Sequence, residues 1–406
     1  MFVPLRATPR DYAWGSSTAI AEVLGSERSG RPEAELWLGA HPGAPTPIAD
    51  PSTVGGHADL ERWLAADPSA LGGHGSLPFL LKVLAAAHPL SLQAHPDLHR
   101  AAAGFAAENE RGVPLDAPHR NYKDALHKPE LIVALRDGFE ALCGFRELAA
   151  TDALLVDLVA SAPDPAAAAR ITMLRGMLVA PDGLRDTVRI LLEQLPGGLL
   201  DALVASAAAP GSGAFDAERA LVGRLAEEYP GDPGIAVALL LNLVTLRAGE
   251  ALYLPAGNIH AYLRGIGVEL MAASDNVLRG GLTPKHIDAG ELLRVLDSTP
   301  GPVPVLRPQR LGGGAARYVT DVPDFSLLRI SVAPDGSSRV PVAGPAIALA
   351  AKGVIEVRGN RSGEAIELRP GQALLVTPDE RHVTLSGSGE LFLAQPGATS
   401  AVRGAS

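Results

Sequence analysis

A unit of glycine turn, short apolar run and histidine occurs twice in this chain. Arg247-Ala-Gly-Glu-Ala-Leu-Tyr-Leu-Pro-Ala-Gly-Asn-Ile-His260 is echoed by Arg369-Pro-Gly-Gln-Ala-Leu-Leu-Val-Thr-Pro-Asp-Glu-Arg-His382, with a Gly-to-His separation of 11 in both. A glycine turn, a strand-length apolar run and a fixed distance to the next histidine describe a small β unit used twice. Two related β-barrels are therefore expected, chance similarity between two turn-strand-turn segments being the alternative. The first copy fits a Gly-x5-Pro-x-Gly-x2-His pattern through Gly249, Pro255, Gly257 and His260. The second keeps the Gly and the His but not the middle Pro-x-Gly. With no second histidine near it in sequence, His382 reads as structural.

The rest of the chain divides by texture. Leu77-Pro-Phe-Leu-Leu-Lys-Val-Leu-Ala and Leu131-Ile-Val-Ala-Leu read as buried strands. Pro96 to Gly112 reads as a helix followed by a long loop. From about Phe145 to Pro233, Ala and Leu dominate. Leu184, Val188, Leu191, Leu192 and Leu195 recur at helical spacing. After Gly234 short alternating runs return, such as Ala346-Ile-Ala-Leu-Ala-Ala and Gln372-Ala-Leu-Leu-Val. The expected fold class is mainly β, two jelly-roll barrels plus a helical domain. Residues 1–145 with 234–300 would form the first barrel, 146–233 a helical insertion, and 301–406 a C-terminal barrel without metal.

Composition narrows the function. A net charge of −10 without a basic run argues against nucleic acid or an anionic membrane as partner. An anionic substrate must then be caught by locally placed Lys and Arg. Cys143 is the single cysteine, so neither a disulfide framework nor a thiolate metal cage is available. That fits a cytoplasmic protein, and no secretory signal is evident at the N-terminus. Ile235 to Leu246 is too short to span a bilayer.

The run from His260 to Arg279 carries a His, a Tyr, two acids and two arginines on an apolar background. Such density suits a site holding a metal and a charged substrate. Gln93 and His95 stand two apart in Ser91-Leu-Gln-Ala-His-Pro-Asp97, so in extended backbone both point to one face. Lys128 and Glu130 do the same in His127-Lys-Pro-Glu130, just before a buried strand, where an acid needs a cation or a hydrogen-bond partner. Gln93, His95, Glu130 and His260 make an all-N/O set. It fits Zn²⁺ best, one ion per chain, with other divalent ions as substitutes.

The Gly249 to His260 pattern resembles the second motif of the cupins. Over most of its length the chain resembles the type I mannose-6-phosphate isomerases (phosphomannose isomerases). The resemblance runs through Tyr12-Ala-Trp-Gly-Ser16, Ala34-Glu-Leu-Trp-Leu-Gly-Ala-His-Pro42, Pro78-Phe-Leu-Leu-Lys-Val-Leu84, Ser91-Leu-Gln-Ala-His-Pro96, Asn121-Tyr-Lys-Asp124, His127-Lys-Pro-Glu130 and His260 through Lys285. Two departures are visible: Leu126 where the family has Asn, and Arg279-Gly-Gly281 where it has Arg-Ala-Gly.

The resemblance implies two cupin-like barrels around a helical insertion. It also implies interconversion of mannose 6-phosphate and fructose 6-phosphate by proton transfer through a cis-enediol(ate). Glu269 matches the family's active-site acid and is the first choice of base, with Lys128 and His127 as rivals or as ring-opening groups. Asp275 acts at ring opening or caps a turn with Asn276. Arg279 matches a catalytic arginine. Ser91, Lys82 and Lys285 are candidates for the phosphate, and Tyr262 for the pocket wall. Trp14 and Trp37 are expected to pack the core. His41, His88, His99 and His286 have no partner set. A monomer is expected, a dimer being the alternative. The rivals at this level are a facial-triad Fe(II) oxygenase and a sugar-phosphate-binding protein without turnover.

Overall fold

Strand Phe79–Ala86 is buried along its whole length, and alternation sends its side chains into two different cores. Leu81, Val83 and Ala85 face a core shared by the two sheets of the molecule; Leu84 and Ala86 face the interior of the first sheet. The computed structural model describes residues 1–180, 182–303 and 305–397. It is mainly β, with a 10-stranded and an 8-stranded sheet and several helices. Both hydrogen-bonded strand orders are open paths, with short strands pairing off them. In the shared core, Leu36, Leu81, Val133 and Leu270 of the first sheet meet Leu327, Ile347 and Phe392 of the second. No helix among the described residues is long and apolar enough to cross a membrane.

The two echoed segments fold alike. Gly249 and Gly371 both turn in the left-handed region, at φ 85° and 78°. The side chains of Glu250 and Gln372 each accept the backbone N–H three residues earlier, from Arg247 and Arg369. Four-residue strands follow, Ala251–Leu254 and Ala373–Val376, and a long strand then starts at each histidine. Equivalent registers run through both units. Glu130 stands opposite Leu254, as Ala346 stands opposite Val376; Gln93 stands opposite His260, as Pro341 stands opposite His382.

Three features differ from the expected layout. Short runs were expected near the C-terminus, but Ser326–Pro341, Ala346–Gly359 and His382–Gln395 are long strands. Register shifts at Val332/Gly336 and Ala350/Lys352 let them bend without ending. Strand Phe2–Leu5 pairs with Ala373–Val376, in the second sheet, because Val3 and Leu5 bury in the shared core. Conversely, Val305–Leu306 pairs with Ala251–Leu254 of the first sheet.

Helices Leu148–Ala160, Pro165–Leu178, Gly183–Glu193, Leu199–Ala208 and Asp216–Glu228 lie between the strand ending at Phe145 and that starting at Leu241. Their apolar faces, including Leu184, Val188 and Leu191, share one core with Leu92 and Leu278 of the first sheet and with Ile259 and Leu282 at its strand ends. The helical stretch is thereby fused to the sheet that carries the His260 segment.

Candidate metal centre and active site

Strand His260–Ala272 curls, and this brings the site together. It pairs with Phe139–Phe145 and Gln93 near its start, and with Phe79–Ala86 and Glu130–Ala134 near its end. The curl needs Gly265 and Gly267. A Cβ at Gly265 (φ 119°) would lie 2.8 Å from the Phe139 backbone, and one at Gly267 would lie 2.7 Å from Ile132. As a result Glu130, paired with Met271 at the far end, places its carboxylate 3.3 Å from Nε2 of His260 and 3.3 Å from Nε2 of His95.

One ligand-type atom from each of His95, Glu130 and His260 lies within 4.8 Å of the others. All three residues are at most 2% exposed. Among the described residues His95 Nε2, His260 Nε2 and Glu130 Oε2 have no hydrogen-bond partner, a costly state in a core unless a cation fills it. His95 Nδ1–H donates to the carbonyl of Asn276 at 2.7 Å, and His260 Nδ1–H donates to that of Asn258 at 3.0 Å. These bonds leave each Nε2 lone pair turned toward the carboxylate, as metal-binding imidazoles require. Burial pushes His95 down to about 4, despite the pull of Glu130, so the ring is neutral. Burial opposes ionisation of Glu130, but Lys128, 2.9 Å away, holds its carboxyl well below the usual range. The donor set therefore fits a divalent ion such as zinc. Gln93 is the cross-strand neighbour of both His260 and Arg279.

A second polar cluster lies beside the first. Lys82 and Glu269 are cross-strand neighbours with Nζ 3.2 Å from the carboxylate, and Lys82 also reaches Glu35 at 3.3 Å. Trp37 donates to Glu35 at 3.0 Å and lies under the Lys82 ammonium. Burial raises Glu269 above the ordinary carboxylate range; Lys82 opposes that and Glu130 reinforces it. Tyr262, two residues from His260, is fully buried, its hydroxyl without a hydrogen-bond partner among the described residues. Burial, then the nearby Glu269 charge, pushes that hydroxyl well above its ordinary value.

A cavity of about 560 Å³ opens beside Gln93, lined by Trp14, Ser91, Tyr229, Arg279 and Lys285. Among the described residues neither Arg279 nor Lys285 has a salt-bridge partner. Burial lowers both, and Arg279 lowers Lys285 further, so an anion between them would be welcome. Lys82 lies outside this cavity, in the Glu269 cluster. Asp275 lines a different cavity of about 550 Å³ with His41, Lys123, Asp124 and Leu126. His41 sits 3.1 Å from Asp275 and holds its carboxyl below the ordinary value. His127 pairs with Asp324 of the second sheet's segment at 2.9 Å.

Four further residues gain partners that sequence reasoning missed. Trp14 lines the Arg279 cavity as well as packing the interior. His41 has Asp275, His88 has Glu228, and Glu35 has Lys82. Of these only Glu35 left a usable signal: it alternates with Trp37 on strand Glu35–Leu38, a two-residue spacing like that of Gln93 and His95.

Comparison with known proteins agrees with this geometry. The model of the type I phosphomannose isomerase catalytic domain matches residues 2–148. The mannose-6-phosphate isomerase of Escherichia coli (strain K12) is 36% identical over 406 residues, covering 94% of this chain and 96% of that one. This chain belongs to the mannose-6-phosphate isomerases. The Bos taurus mannose-6-phosphate isomerase is 32% identical, with 93% of each chain covered. A solved mannose 6-phosphate isomerase from Salmonella typhimurium, bound to its substrate f6p and a zinc atom, superimposes with a TM-score of 0.85. It is 33% identical, over 98% of this chain and 100% of that one. Membership of the mannose-6-phosphate isomerases accounts for the buried His95–Glu130–His260 cluster, which a purely structural strand end would not need.

Proposed function

We infer that this chain is a metal-dependent isomerase interconverting D-mannose 6-phosphate and D-fructose 6-phosphate. The carrying observation is a set of three buried ligand atoms next to a cavity with two cations, none of them partnered among the described residues. His95, Glu130 and His260, with Gln93 as fourth ligand, would hold zinc. Bound there, the ion supplies a Lewis acid for the oxygens at C1 and C2 of the sugar.

The protein's own groups divide the remaining work. Glu269 moves the proton between C2 and C1 through a cis-enediol(ate); burial raises its basicity and Lys82 keeps it ionised. Arg279 faces the charge that develops on the substrate. Ser91 and Lys285, sharing its cavity, take the phosphate. Lys82 is assigned to Glu269 because its three nearest charged or aromatic partners lie there. Lys128 balances Glu130, and Tyr262 lines the reacting end. The Asp275–His41 pair and His127 are the groups assigned to ring opening.

The same reading treats residues 1–145 with 234–300 as a metal-binding cupin-like barrel and 146–233 as an insertion. The described part of 301–406, with strand Phe2–Leu5 added and Val305–Leu306 given to the first sheet, is read as a second such barrel, without metal, in a cytoplasmic protein. Support for the metal-free assignment comes from the register: where the first unit has Glu130 and Gln93, the second has Ala346 and Pro341.

The test is an assay of ketose phosphate formation from mannose 6-phosphate, before and after chelation. Activity should vanish with the metal and return with zinc. Turnover that survives complete metal removal would overturn the reading. A supporting prediction concerns Asn276, which is fully buried. Its side chain accepts from Lys123 N at 2.7 Å and donates to the carbonyls of Asp124 and Leu126, while its own carbonyl orients His95. Asn276→Ala is expected to weaken zinc binding about 10–100-fold. Competition with a chromophoric chelator measures this directly.

A further inference from the structure

The helical stretch returns to the sheet through residues 229–234, and this turn touches both walls of the Arg279–Lys285 cavity. Tyr229 lines the cavity and donates its hydroxyl to the Pro89 carbonyl at 2.7 Å, holding the wall that carries Ser91. Asp232 accepts from Gly234 N at 2.7 Å with one carboxylate oxygen and from Thr283 N at 3.1 Å with the other. Thr283 in turn accepts from Lys285 N at 3.2 Å. Between them the backbones meet at contact distance. A Cβ on Gly281 (φ 126°) would lie 2.5 Å from Gly234 Cα, and one on Gly234 would lie 2.8 Å from Leu282 N. Leu282 itself is held at φ 56°, a region a branched side chain rarely occupies, and is 1% exposed. A strained residue persists only where its surroundings over-determine it. Here those surroundings are the Asp232 carboxylate, Gly234 and the core that Leu282 shares with Ile235 and Ala236.

We propose that the 229–234 turn is a positioning element for recognition of the substrate's phosphate monoester. Tyr229 fixes the Ser91 wall, Asp232 fixes the Lys285 wall, and the gap between the walls selects a sugar carrying a phosphate dianion. The helical stretch thereby takes part in substrate selection without touching the reacting carbons. This rests on the reading that Ser91, Arg279 and Lys285 hold the phosphate.

The experiment compares Asp232→Ala, Tyr229→Phe and Lys285→Ala in the full-length zinc enzyme. It measures kcat and KM for mannose 6-phosphate, the inhibition constant of inorganic phosphate, and bound zinc. Loss of the Asp232 contacts should raise KM and the phosphate inhibition constant together, about tenfold, since one charge-assisted hydrogen bond carries roughly that factor. Tyr229→Phe should shift both in the same direction by less. In both variants kcat should fall less than KM rises, with zinc content unchanged. Asp232→Asn, which keeps one acceptor oxygen, should recover part of the loss. A role in folding alone would lower the active fraction and leave KM and phosphate inhibition where they were, and that result overturns the proposal. If Lys285→Ala also leaves phosphate inhibition unchanged, the phosphate reading of the cavity falls with it. If Lys285→Ala weakens phosphate binding and neither turn variant does, only the positioning role falls. Should Asp232→Ala not yield folded protein, Tyr229→Phe decides by the same criteria.

Discussion

His260→Ala is expected to remove zinc and isomerase activity together. The imidazole supplies one of three buried ligand atoms that converge within 4.8 Å. Loss of groups that merely orient a ligand already costs about 10–100-fold in metal affinity, so loss of the ligand itself should exceed ~100-fold. The fold should survive in the metal-free state. The strand from His260 is held by its pairing with Phe139–Phe145 and by Gly144 N donating to the Ile259 carbonyl, neither of which needs the ring. Glu130 also keeps Lys128 at 2.9 Å. Zinc content after dialysis and kcat/KM on the same preparation check this. A variant that keeps stoichiometric zinc while losing activity would remove His260 from the ligand set.

Glu269→Gln should behave in the opposite way, keeping zinc and losing turnover. A positioned general base contributes about 10²–10⁴-fold, and kcat should fall by that order. Glutamine is nearly isosteric, and Lys82 retains Glu35 at 3.3 Å. The stability cost should therefore stay below the ~3–5 kcal/mol seen when a buried charge loses its sole partner. The pH profile gives a second readout. Burial raises the folded pKa of Glu269, with Lys82 opposing. The base works only when ionised, so activity should be lost as pH falls through a value above the ordinary carboxylate range. That acidic limb should be absent from the residual activity of Glu269→Gln. Full activity in this variant would exclude Glu269 as the base, leaving Lys128 and His127.

Sequence and structure divide the site between them along a physical line. Local rules carried far. Two-residue alternation put Gln93 with His95 and Lys128 with Glu130; Lys128 lies 2.9 Å from Glu130, and Gln93 stands opposite His260. Helical spacing identified Leu184, Val188 and Leu191, all buried. The repeated glycine turn announced two units that fold with the same registers. What escaped were partners brought together from distant parts of the chain. Lys82 looked like a phosphate ligand because a lysine near such a site usually is one; its register opposite Glu269 gives it a different neighbour. His41 and Asp275 meet across more than 200 residues of chain, and no spacing rule reaches that far. The merging of short runs into long bent strands was hidden because a bulge and a turn both begin with glycine or a polar break.

The sequence by itself determined the chemistry on offer: an N/O ligand set without thiolates, a buried acid, two arginines and several lysines, on β segments that lie on either side of a helical stretch. These follow from residue type and from periods of two and 3.6, which are properties of neighbouring residues. Only the tertiary structure decided which groups meet. The curl of strand His260–Ala272 at Gly265 and Gly267 closes Glu130 onto His95 and His260. The pairing of that strand with Phe79–Ala86 gives Lys82 to Glu269. The contact of Gly234 with Gly281 joins the helical stretch to the wall that carries Lys285. Each depends on two backbones approaching at one register and one separation, which is fixed by packing rather than by any local stretch of the chain.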